Sequence, residues 1–114
     1  MIQTDIEKLI AEATDRLVEA AHPDKIILFG SYARGDFDRH SDLDFLVILP
    51  TVAHRFEETI RLQSALRGLR MAADIVVYSA GQVEERRNLR GTMLYHALAE
   101  GRVLYASPWR RAIS

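Results

Sequence analysis

Apolar and polar residues alternate with two distinct periods along this chain of 114 residues. From Thr4 to Ala21 the apolar positions Ile6, Leu9, Ile10, Ala13 and Leu17 recur every three or four residues, which predicts an amphipathic helix. Thr4 and Glu7 form a capping box at its start. Pro23 then turns the chain towards a strand, Lys25 to Phe29, which is rich in β-branched and aromatic residues and is broken by Gly30 and Ser31. Ser31 to Arg34 can make one helical turn, ended by Gly35. A second apolar run, Asp42 to Leu49, reads as a strand closed by Pro50. A long helix follows from about Val52 to Leu69, with Phe56, Ile60, Leu66 and Leu69 on or near its inner face and Gly68 weakening its last turn. Ala73 to Tyr78 is the third strand.

Ser79 with Gln82 makes another capping box and opens a helix through about Leu89. Gly91 interrupts it before Thr92 to Glu100 resumes the helical pattern with Met93, Leu94, Ala97 and Leu98, and Gly101 ends that segment. Arg102 to Tyr105 reads as a short final strand, and the tail SPWRRAIS is basic around Trp109. Together these elements predict an α+β (α/β two-layer) fold, a small mixed sheet of three or four strands packed by helices. One domain over residues 1–106 and a C-terminal tail over 107–114 account for the chain.

The composition, 48% hydrophobic and 27% charged, is ordinary for a globular protein. With no cysteine, a disulfide framework and a thiolate metal site are both excluded, in keeping with a reducing cytoplasm. No apolar run is long enough to cross a membrane. A net charge of -1 argues against strong nonspecific nucleic-acid binding, and no basic aromatic groove for a single strand is evident. The charge is unevenly spread: residues 1–50 hold ten acids and five bases, residues 51–114 six acids and ten bases.

The acidic half carries the chemistry. Successive strand side chains point to opposite faces, so Asp42 and Asp44 share a face while Leu43 and Phe45 take the other. Two like charges about 5 Å apart repel by about 3 kcal/mol at an effective dielectric near 20, and partial burial adds a desolvation cost. A divalent cation between them relieves both. Mg²⁺ suits such a place, since it takes oxygen ligands, commonly one or two carboxylates plus substrate phosphates. Gly30 allows a phosphate close to the backbone, where Ser31 and the following amides can donate to it. Arg34 is a candidate contact for bound phosphate, while His40 reads as a surface residue. Ser41 is placed to fix the start of the second strand by bonding nearby backbone. Asp74 opens the third strand as the other two acids open the second, so it reaches the same cluster if the strands lie side by side.

Gly30-Ser31, ten residues, then Asp42-Leu43-Asp44 resembles the G-S-x10-D-x-D signature of the DNA polymerase β-like nucleotidyltransferases. The fuller string GSYARGDFDRHSDLD, which covers 15 residues, looks like the minimal nucleotidyltransferase (MNT) proteins. The resemblance implies that fold, with Asp42, Asp44 and Asp74 as catalytic carboxylates and metal ligands for two Mg²⁺ ions. It implies ATP as substrate, with Gly30, Ser31, Arg34 and Ser41 on the nucleotide side. A third carboxylate at Asp74 completes the cluster in that family and helps activate the attacking hydroxyl.

Larger members of the family carry an extra domain to grip the acceptor, which this sequence lacks, so the acceptor is expected on a second protein. Small proteins of this kind serve as antitoxins of a type VII-like pair and adenylylate a tyrosine of an α-helical HEPN ribonuclease toxin encoded nearby. Two alternatives belong to other classes. A binding-only antitoxin would mask its partner without chemistry. A small-molecule nucleotidyltransferase of the aminoglycoside-modifying kind would need a homo-oligomer to build an acceptor pocket.

Overall fold

The computed structural model describes residues 3–108, with side chains from Asp5 onward. The Trp109 tail and the side chain of Thr4 lie outside the described residues. Among the described residues, five helices and four strands follow one another as α1 (Gln3–Ala21), β1 (Lys25–Phe29), α2 (Ser31–Arg34), β2 (Leu43–Leu49), α3 (Arg55–Ala65), β3 (Ala73–Ser79), α4 (Ala80–Arg86), α5 (Met93–Glu100) and β4 (Arg102–Ala106). The strands form one mixed sheet in the order β3-β2-β1-β4. β1 is antiparallel to β2 and to β4, whereas β2 and β3 run parallel, as the intervening α3 allows. The mixed sheet packed by helices agrees with the sequence expectation.

The period-2 pattern of the strands divides the sheet between two cores. Ile26, Leu28, Leu43, Phe45, Val47, Leu49, Ile75 and Val77 face α1 and α3, where Ile6, Ile10, Ala13, Leu17, Leu62 and Leu66 meet them. Ile27, Leu46 and Ile48 point the other way and are covered by Val83, Leu94 and Ala97 of the short pair α4 and α5, a partial further layer. β2 is therefore buried on both faces, and Asp44 is its one residue that is not.

Two local expectations need correction. α3 is shorter than its apolar pattern suggests and faces differently: Leu62 and Leu66 are buried, whereas Phe56 and Ile60 are 76% and 50% exposed. All four positions are apolar, and the pattern holds two stripes of which only one can face the sheet. Gly68, at φ +85°, and the tight turn from Leu66 N to Gln63 O end the helix early. α4 likewise stops at Arg86 rather than Leu89, after which Gly91 at φ +85° reverses the chain. The Thr4–Glu7 capping box lies outside the described residues, because it rests on the side chain of Thr4. The Glu7 carboxylate takes a two-pronged bond from Arg102 at 2.8 and 2.9 Å, tying α1 to β4. The Ser79–Gln82 box forms as expected. Gly101 ends α5 without a left-handed turn; a Cβ there would collide with Ala97 O and Ile27 Cγ2, so space, not φ, demands glycine.

Candidate active site

The sheet brings the acidic positions to one end. β1 finishes at Phe29, which pairs with Asp44 across the antiparallel ladder. Asp44 in turn pairs with Asp74 across the parallel ladder. Neighbouring strands lie about 4.8 Å apart, so the two carboxylates leave the sheet side by side on the α4/α5 face. Asp42 stands just before β2 and is exposed, as is Asp74.

Gly30 makes the turn that joins this acidic pair to the loop. Its φ of +77° and ψ of −158° lie where side chains are rarely found, and it caps α2. A Cβ at Gly30 would overlap Asp44 Oδ2 and sit 3.2 Å from Asp44 Cγ. The Gly-Ser turn and the carboxylate are thus in contact, parts of one site. Ala33 N and Arg34 N both bond back to Gly30 O at 3.1 Å, and Gly35, at φ +92°, closes the turn of helix.

The loop back to β2 is held by its own polar groups. Asp38 Oδ1 accepts from His40 N at 2.8 Å, and Ser41 Oγ accepts from Asp38 N at 3.0 Å, so Ser41 bonds nearby backbone as its position suggested. His40 is exposed, in line with a surface role. Tyr32 and Phe37 stack with centroids 4.4 Å apart and rest on the main core, a contact that sequence reasoning missed. Two aromatics five residues apart on either side of a glycine were the available signal. An open groove of about 520 Å³ lies beside this pair and reaches Asp42, Arg70 and Met71.

Electrostatics mark the same place. Asp44 titrates above the usual carboxylate range, first because it is partly buried, then because the charges of Asp74 and Asp42 oppose its ionisation; Arg34 acts the other way. Arg34 itself pairs with Asp36 at 3.3 Å and lies 4.0 Å from Glu100 at the end of α5. Tyr32 is shifted upward by burial and by Asp38 and Asp42, which keeps its hydroxyl protonated.

Among the described residues no three acidic or imidazole side chains are gathered as a preformed metal cage. The structure delivers Asp44 and Asp74 in register, with Asp42 adding its charge from the end of the loop. That donor set fits a hard cation: the ligands are oxygens, the central one is penalised for its charge, and no arginine among the described residues pairs with Asp74. Mg²⁺ would neutralise the Asp44–Asp74 repulsion and stabilise charge on phosphate oxygens.

The sequence matches the nucleotidyltransferase-domain family over residues 7–103. It is 39% identical over 83 residues to "Putative protein adenylyltransferase MJ0604" of Methanocaldococcus jannaschii, covering 71% of this chain and 77% of that protein. A second protein of that organism, "Putative protein adenylyltransferase MJ0141", is 46% identical over 44 residues, 36% of this chain and 43% of its own length. Among solved structures, a "putative nucleotidyltransferase from Sulfolobus solfataricus" superimposes with a TM-score of 0.61 at 20% identity, over 87% of this chain and 78% of the other. A chain from a toxin–antitoxin structure with AMP-PNP gives a TM-score of 0.54 at 22% identity, over 90% and 78%. The chain belongs to the nucleotidyltransferase-domain family, and it is a nucleotidyltransferase. Among the described residues no helix is long and apolar enough to cross a membrane.

Proposed function

We propose that this chain transfers AMP from ATP, with Mg²⁺, to a tyrosine hydroxyl of a helical HEPN-type ribonuclease toxin encoded beside it, and so acts as that toxin's antitoxin. The observation that carries the reading is the contact of the Gly30 turn with Asp44, beside an in-register Asp74. Two further findings support it. The relative that shares 39% identity is named for protein adenylylation, and a chain of the same fold comes from a toxin–antitoxin structure with an ATP analogue.

In this mechanism the Gly30-Ser31 backbone and the Ser31 hydroxyl hold the β- and γ-phosphates, with Arg34 close by to meet the charge of departing pyrophosphate. Asp42 and Asp44 would hold Mg²⁺, which would stabilise the charge that builds on the phosphate oxygens. The acceptor oxygen attacks the α-phosphorus as the bond to the bridging oxygen breaks, and the acceptor's proton is lost on the side of Asp74. Asp74 orients that hydroxyl beside its carboxylate, and a cation held there would lower the cost of ionising it. Ser41 keeps the loop in place so that Asp42 faces the nucleotide. The test is to incubate the chain with Mg-ATP and its co-purified partner. The partner should gain AMP, and Asp44→Ala should abolish the gain. A partner of unchanged mass would overturn the proposal.

A further inference from the structure

Arg34 stands between carboxylates from two separate parts of the chain. Its Nε is 3.3 Å from Asp36 Oδ2, on the same loop. Its Nη1 is 4.0 Å from Oε2 of Glu100, the last residue of α5. The guanidinium also reaches Asp44 with its charge, which opposes the upward shift of that carboxyl. An acid from α5 is thus delivered to the rim of the phosphate side.

The fold fixes this approach. Arg102 pairs with Leu28 on the β1–β4 ladder. A Cβ on Gly101 would meet Ile27 Cγ2 and come within 3.0 Å of Leu28 O, so the end of α5 is seated on β1 just before Gly30. The backbone of Glu100 is held there by its neighbour. Its second oxygen, Oε1, lies 3.6 Å from His96 Nδ1, one turn back on α5.

Stability does not account for the placing, because an exposed pair at this distance contributes little to folding. Competition for donors does. A guanidinium grips an oxyanion best through two parallel N–H bonds. With Nε turned to Asp36, the edge left for such a grip is Nη1 with Nη2, and Glu100 faces that edge. A phosphate that takes Arg34 must take it from Glu100.

We infer that Glu100 is the counter-ion of Arg34 when pyrophosphate is absent, giving the arginine up to the bound phosphates and reclaiming it as pyrophosphate leaves. The inference rests on the phosphates lying beside Gly30, Ser31 and Arg34, as proposed above, and adds a residue that loosens the hold on product. Glu100 acts through Arg34 and is a positioning residue.

The test is a double-mutant cycle read by calorimetry with magnesium pyrophosphate and with Mg-ATP, on the full chain without a partner. Glu100→Gln keeps the shape of the side chain and removes its charge. It should bind both ligands about twofold to fivefold more tightly, the scale of an exposed charge pair. Arg34→Ala should bind both more weakly, and in that background Glu100→Gln should lose most of its effect. Glu57→Gln, which removes an equal charge in the first turn of α3, should leave affinity unchanged. Weaker binding by Arg34→Ala with no gain from Glu100→Gln would overturn the counter-ion and leave the nucleotide reading intact. So would an equal gain in both backgrounds, or an equal gain from Glu57→Gln, since either means general charge repulsion. Unchanged affinity in Arg34→Ala would overturn the placing of phosphates at Arg34, and the counter-ion with it.

Discussion

Replacing Asp44 by asparagine should make the metal-free protein more stable while destroying its activity. Asp44 is the one residue of β2 that is not buried, and its pKa is raised by burial, by Asp74 and by Asp42. A raised carboxylate pKa means that ionisation is harder in the folded chain than in the unfolded one. Below the unfolded pKa, about 4, both states are protonated and the site costs nothing. As pH rises through the interval up to the folded pKa, stability is lost, and above it the loss is complete. The Asp44–Asp74 repulsion at about 5 Å is about 3 kcal/mol at an effective dielectric of 20 and about 0.8 kcal/mol in bulk water. With Asp74 exposed and Arg34 opposing, the lower part of that range applies, and we expect about 1 kcal/mol. For a domain of this size that corresponds to a rise of about 4 °C in Tm. Thermal denaturation in EDTA at low salt, from pH 4 to pH 8, measures it. The gain of Asp44→Asn should be absent at the acid end and full at pH 8. Added Mg²⁺ should stabilise the parent more than the variant and narrow the gap. A variant less stable than the parent at pH 8, or a difference that does not change with pH, would refute the electrostatic account.

Other outcomes follow from the same geometry. Gly30→Ala should cost about 1–3 kcal/mol and remove nucleotide binding, since the new Cβ meets both a positive φ and Asp44 Oδ2; urea denaturation and ATP calorimetry check it. Gly101→Ala should cost a similar amount by driving α5 off β1, yet leave ATP affinity near that of the parent, because the clash is with Ala97 and Ile27 rather than with the site. Arg102→Ala should cost less than about 1 kcal/mol, because its pair with Glu7 is largely exposed. Glu7 is held below the usual carboxylate range by that pair, so its contribution is present above the unfolded pKa and lost as pH falls through the folded one. The Arg102→Ala deficit should therefore shrink in acid.

Much of the site was legible because its parts are local. Gly30, Ser31 and the Asp42–Asp44 pair lie within 15 residues, and strand alternation alone sets the parity of the two acids. Asp74 was legible only conditionally. Its partnership with Asp44 depends on which strands pair and in what register, and nothing short of the folded sheet settles that. Long-range pairings were the hardest to read. Glu7 takes a bond from Arg102, 95 residues away, and no local pattern points to that residue. The facing of α3 failed for another reason: the helix carries two apolar stripes, and the choice of Leu62 over Phe56 is made by packing against β3.

The central claim is that Asp44 and Asp74, against the Gly30 turn, transfer a nucleotide. Its most direct test is transfer of label from α-phosphate-labelled ATP to the partner protein, by the parent, Asp44→Asn and Asp74→Asn chains in parallel, with Mg²⁺ or with EDTA. The account predicts labelled partner with the parent and Mg²⁺ alone. Label from either variant at the parent's rate, or in EDTA, would contradict it.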